Sequence, residues 1–141
     1  MKKIILFITS VVVGLIIISL IIELFEVLIV MFLSGKDLNE LQTNQEMYFS
    51  IRNQTWFLAL KLGLSVISGV IAGYLSTRIA KGIEKPAIYS LASIQFASLI
   101  YGMLFSPFKD TTPIGVWIAL TLLIPISILV GGYYGLRKLK G

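Results

Sequence analysis

Apolar residues run almost unbroken from Ile4 to Leu33, interrupted only by small polar residues and by Glu23 and Glu26. Three further apolar stretches follow, at about 56–79, 86–106 and 114–136. Each is close to the ~20 residues that an α-helix needs to cross the ~30 Å hydrocarbon core of a bilayer. The pattern predicts an all-α fold, an integral membrane four-helix bundle in one domain over 1–141, with a polar outer loop at 34–55.

The first run would extend roughly 45 Å as a helix. It is expected to tilt or to project past the bilayer, which brings Glu23 and Glu26 closer to the interface than to the midplane. Met1-Lys2-Lys3 before an apolar stretch also opens a signal peptide. The run is too long for one, no small-x-small cleavage site follows, and apolar character resumes from Val27 to Leu33. It is expected to remain as the first span.

Within the loop, Asp37 suits the cap of a short helix, and Tyr48-Phe49 suits an interface, predicting a surface-lying or re-entrant segment. Asn53-Gln54-Thr55 fits a glycosylation acceptor, read as chance in a chain of bacterial character. Pro86 suits a helix start, Pro107 and Pro113 bracket a short outer turn, and Pro125 is expected to kink the fourth helix.

Composition strengthens this reading. Of 141 residues, 57% are apolar and 13% charged, and the mean hydropathy is +0.92, far from a soluble domain. The chain has no His and no Cys. That removes a thiol nucleophile, an imidazole base, a disulfide, a haem axial His and the usual zinc site, so no catalytic residue, metal or cofactor is expected.

The net charge of +5 is explained by topology. Lys2, Lys3, Arg78, Lys81, Lys85, Arg137, Lys138 and Lys140 fall on one side of the spans, against Lys36, Arg52 and Lys109 on the other. The positive-inside rule then predicts a multi-pass inner-membrane protein with both termini cytoplasmic. The basic side can attract anionic lipid headgroups. No nucleic-acid partner is expected, since the chain offers no soluble basic face.

The basic ends of the second and fourth spans match at an offset of 59 residues. Ser68, Gly73, Tyr74, Arg78, Lys81 and Gly82 recur as Ser127, Gly132, Tyr133, Arg137, Lys140 and Gly141. Two parallel-oriented helical hairpins related by a weak repeat would produce this, and so would convergence on the features of any inward-ending helix. Ser65, Gly69 and Gly73 form a small-residue ridge on the second span, and Ser127, Gly131 and Gly135 another on the fourth. Packing of the two spans within one chain and a homodimer face are both open.

Glu23 and Glu26 share a helix face, and Lys61 lies at comparable depth on the next span, so an ion pair between them is natural. It could lock the hairpin. Alternatively, since two acids face one base, the remaining carboxylate could exchange protons or bind a cation. Gln95, with Ser98 on the same face, is expected to point inward as an interhelical hydrogen-bond donor or as part of a polar pocket.

The Lys-Lys start, the glutamate-bearing first helix, the long outer loop and the ending Gly-Val-Ile-Ala-Gly-Tyr-Leu-Ser-Thr-Arg of the second span resemble small bacterial four-helix membrane proteins of unknown function. Many of those carry a His near the first-helix glutamate that is absent here. In size and helix count the chain is also similar to small multidrug resistance transporters, which use a first-helix acidic residue and work as dimers. Its Glu23 lies further toward the outer end than theirs, and the 34–55 loop is foreign to their compact hairpins. The first expectation is a non-enzymatic structural or interaction role in the lipid bilayer, with a membrane-protein partner or a second copy. The alternative is a small dimeric proton- or cation-coupled transporter using Glu23 and Glu26.

Overall fold

The computed structural model describes all residues 1–141 and is built of helices alone: α1 (Lys2–Ser34), α2 (Leu38–Thr43), α3 (Gln45–Arg52), α4 (Thr55–Ile79), α5 (Glu84–Phe105) and α6 (Ile114–Lys140). A short 3-10 turn, Lys109–Thr111, lies between Pro107 and Pro113. Four of the helices, α1, α4, α5 and α6, are long and apolar enough to cross a membrane. Their predicted bounds agree closely, except that α6 continues for a further turn through Arg137–Lys140. Nothing in that basic stretch breaks a helix, and cations suit the negative end of the helix dipole.

Which residues face inward reverses the rule for a water-soluble bundle. Ser10, Ser65, Ser68, Ser76, Thr77, Thr121 and Ser127 are buried, whereas Ile5, Ile8, Val12, Ile16, Leu20, Leu24 and Leu28 form an exposed stripe along α1. Water would penalise that stripe, while hydrocarbon accepts it at no cost. Of these hydroxyls, all but that of Ser76 bond a carbonyl of their own helix. Ser65 donates to the Lys61 carbonyl at 2.7 Å and Ser68 to the Ser65 carbonyl at 2.8 Å.

The closest packing is between α4 and α6, with α1 laid against α4 and α5 against α6. A Cβ on Gly69 would lie 1.9 Å from the Ser127 hydroxyl, on Gly73 2.1 Å from the Ile128 carbonyl, and on Gly131 2.0 Å from the Val70 carbonyl. Only hydrogen fits at these crossings. Gly135 meets Thr77 in the same seam, and the Thr77 hydroxyl bonds the Gly73 carbonyl at 2.9 Å and the Gly132 carbonyl across the seam at 3.2 Å. The ridges named from the sequence thus face each other within one chain. Pro125 lies inside an uninterrupted α6, and the nearby Ser127 hydroxyl donates to the Ile124 carbonyl at 2.7 Å.

The main core joins Ile18, Ala72, Leu91, Ile124 and Ile128. A smaller one, Val30, Leu41 and Phe57, sits where α2 and α3 cover the end of the bundle opposite the termini. Gly35 enters the left-handed region at φ 66° and terminates α1. The Asp37 side chain then accepts from the Glu40 N–H at 2.9 Å to start α2, and Asn44 caps α3 through the Met47 N–H at 3.3 Å. The predicted Asp37 cap is present. The segment does not lie apart from the bundle as a surface strip, because Leu41 buries against Val30 and Phe57 and pulls α2 and α3 onto it.

Candidate functional site

Glu26 lies about 12 Å before the end of α1, and Lys61 about 9 Å inside the start of α4, at the 1.5 Å rise of an α-helix. Both are buried, and the Lys61 Nζ lies 2.8 Å from Glu26 Oε2. On the other carboxylate oxygen, Oε1, the Tyr48 hydroxyl donates at 2.8 Å and Arg52 Nε approaches to 2.7 Å. The Arg52 contact is an ion pair without an aligned hydrogen bond, and the guanidinium also lies over the Phe49 ring, 5.5 Å from its centroid. One carboxylate therefore gathers a phenol and two cations, tying α1, α3 and α4 together. Both ion pairs of the chain are made by Glu26.

From the sequence, Tyr48 is expected at an interface and Arg52 as an outer-side cation, and neither is expected as a partner of Glu26. Their spacing of four on a short helix puts them on one face, and the surplus of acid over base at Glu23, Glu26 and Lys61 was the signal that a further cation belonged there. Burial, the Glu26 charge and the hydrogen bond to it all push the Tyr48 hydroxyl well above its ordinary pKa of 10.0. For an acid whose folded pKa is raised, the stabilisation is complete below pH 10.0 and declines as the unfolded chain ionises above it. Tyr48→Phe is expected to cost about 1 kcal/mol near neutral pH, and its gap from the parent should narrow above about pH 10. Thermal unfolding in detergent across that pH range checks both.

Glu23, one turn earlier, takes no part in this cluster. It makes no ion pair and no side-chain hydrogen bond, and lines a cleft of about 450 Å³ beside it. Every long helix contributes to the walls: Ile18 and Ile22 from α1, Lys61 and Ser65 from α4, Gln95 and Leu99 from α5, and Trp117, Leu120 and Ile124 from α6. Tyr48, Phe49 and Arg52 form the side next to α3. Glu26, Arg52 and Lys61 lie at that end, and Glu23, Ser65 and Gln95 carry polarity further along the walls among Ile18, Ile22 and Ile124.

The expectation that Ser98 joins Gln95 on the inward face, as part of a polar pocket, is corrected by the geometry. The inward face of α5 runs through Ala87, Ile88, Leu91 and Ala92 and continues along Gln95 and Leu99 into the cleft. Ser98 is exposed, because a step of three residues turns about 60° away from that face whereas a step of four carries it on. Gln95 forms no hydrogen bond with the protein, so its amide is free toward the cleft.

The constellation can hold charge in a poorly hydrated place and can present donors and an acceptor to a small polar group. Comparison with protein-family models, with curated proteins and with solved structures gives no match to this chain.

Proposed function

We propose that the chain is a small multi-pass protein of a bacterial inner membrane, with both termini cytoplasmic, and that its role is structural or interactive, as an accessory or assembly subunit. The observation that carries this is the saturation of Glu26, whose two oxygens hold Tyr48, Arg52 and Lys61 and so fix the cap formed by α2 and α3 onto α1 and α4. A carboxylate so fully engaged is a tie between helices, poorly suited to proton abstraction or to cycling between states. The asymmetry of Lys and Arg supports the orientation. With the small-residue seam occupied inside the chain, another protein would meet the outward faces of α1 and α5.

A second reading, a small dimeric proton- or cation-coupled transporter, is favoured by one observation, the unpaired Glu23 carboxylate in the cleft. In that reading Glu23 does the exchanging and Glu26 holds the site. Extraction of natively expressed protein in mild detergent, followed by size analysis and identification of what accompanies it, separates the two. A stoichiometric larger partner is the expected result. A homodimer with no partner supports the transporter, and a lone monomer overturns the accessory role.

A further inference from the structure

We propose that the groove on the outward face of α6, beside the start of α5, binds an anionic phospholipid whose head carries two phosphates, held by Lys85, Arg137 and Lys140, with its chains laid along Val130. This inference goes beyond the role proposed above and rests only on the reading that the long helices span a bilayer.

The groove opens at the end of the bundle that carries both termini. Its volume of about 550 Å³ is within the ~300–1,000 Å³ usual for small-molecule sites. α5 and α6 run antiparallel here, with Ile88 against Gly132 and the Tyr89 hydroxyl bonded to that of Tyr133, so Lys85 comes level with Leu136 and Arg137. At the rise of an α-helix, Lys140 lies about 4.5 Å further outward, and Val130 about 10 Å inward. Cations therefore stand at the mouth and apolar surface lies below them, which is the order of head and chain in a lipid. Val130 is 56% exposed, and the same face continues through the exposed Ile126 and Leu122. No part of the core has to open to admit a chain.

Three cations line the groove and no acid does. None of the three is in an ion pair, since both ion pairs of the chain are made by Glu26. Glu84, the neighbour of Lys85, turns its carboxylate to the Gly82 N–H at 2.7 Å and is not part of the walls. At an interface of reduced dielectric, a single phosphate would leave two of these charges unmatched and a pair of phosphates only one, so the doubly charged head is favoured. Arg137 offers a planar fork to one phosphate, and the two lysines act as point charges. The Tyr89 and Tyr133 hydroxyls, 2.5 Å apart, spend one proton on their mutual bond and keep the other free to donate. Tyr133 lies about 6 Å inward of Arg137, at the depth of the ester linkages below a head held there. An acidic peptide would satisfy the cations from the aqueous side but has no use for Val130 at chain depth, which favours a lipid.

The test is native mass spectrometry of the full chain in mild detergent with three probes: tetraoleoyl cardiolipin, dioleoyl phosphatidylglycerol and inorganic pyrophosphate. The parent should retain the two-phosphate lipid about tenfold better than the one-phosphate lipid, the scale of one further charge-assisted contact. Lys85→Gln combined with Arg137→Gln should abolish that preference. Lys2→Gln combined with Lys81→Gln, which removes the same charge from the same end but outside the groove, should leave it unchanged. Either pair leaves six of the eight cations at that end, enough to keep the charge bias that orients the chain. Should the first pair fail to fold, Lys140→Gln alone should lower the preference. Equal retention of the two lipids by the parent, or equal loss in both double variants, overturns the proposal, the latter by making the attraction a property of the whole basic end. Pyrophosphate retained as firmly as the lipid would identify a soluble diphosphate and overturn the lipid. A chain that stays in solution without detergent would overturn the membrane reading itself, an outcome distinct from the loss of lipid preference.

Discussion

Glu26→Gln is expected to destabilise the fold by about 3–5 kcal/mol, the scale for leaving a buried cation without its partner. The variant strands Lys61, 2.8 Å from the lost charge, as well as Arg52. Arg52 is the less buried of the two cations and sits on the covering helix α3, so it can turn to solvent, whereas Lys61 is held inside α4. Adding Lys61→Met to Glu26→Gln should therefore restore a large part of the loss, and adding Arg52→Gln should restore much less. Thermal unfolding of the three variants in one detergent measures the ranking. Equal rescue by the two second substitutions would show that depth does not separate the cations.

Gly73→Ala should be nearly as damaging, costing about 3 kcal/mol or roughly 10 °C in Tm, at the upper end of overpacking effects. The added carbon would lie 2.1 Å from the Ile128 carbonyl and 2.9 Å from the Gly132 nitrogen. Those atoms belong to the α6 backbone, so no rotamer change can make room and the helices must separate along their length. Gly73→Leu should abolish stable folding. Gly63→Ala is the internal control, with nothing within 4 Å of its added carbon. Replacing a mid-helix glycine there should be neutral or stabilising by up to about 1 kcal/mol. Equal loss at Gly73 and Gly63 would refute the seam as the source of the effect.

Much of this arrangement was legible along the chain because lipid imposes strict rules on length and composition. The four long helices followed from the apolar runs, and the α4 and α6 ridges from glycine and serine at spacings of four. The Lys61 partner was narrowed to Glu23 or Glu26 but not chosen between them. They are three residues apart and share a face, and the choice depends on the covering helix α3, whose Tyr48 and Arg52 reach Glu26. That helix is short, polar and held by contacts from Leu41, so no periodicity announces where it folds. Ser98 shows the opposite weakness: three residues from Gln95 it shares a broad face, but a cleft is narrower than a face. The cleft itself, formed where five elements meet, has no signature in any one of them.

The Glu26 cluster also sets an order of events during synthesis. Glu26 and Lys61 are 35 residues apart in the chain. At about 5–20 residues per second, Lys61 is made roughly 2–7 s after Glu26. Until then Glu26 lacks the ammonium it pairs with in the folded chain, and the loop between supplies Tyr48 and Arg52 first. The N-terminal hairpin can then be neutralised and closed by contacts that involve no residue of α5 or α6. The second hairpin then arrives against a finished surface, on which Gly69 and Gly73 lie open to receive α6.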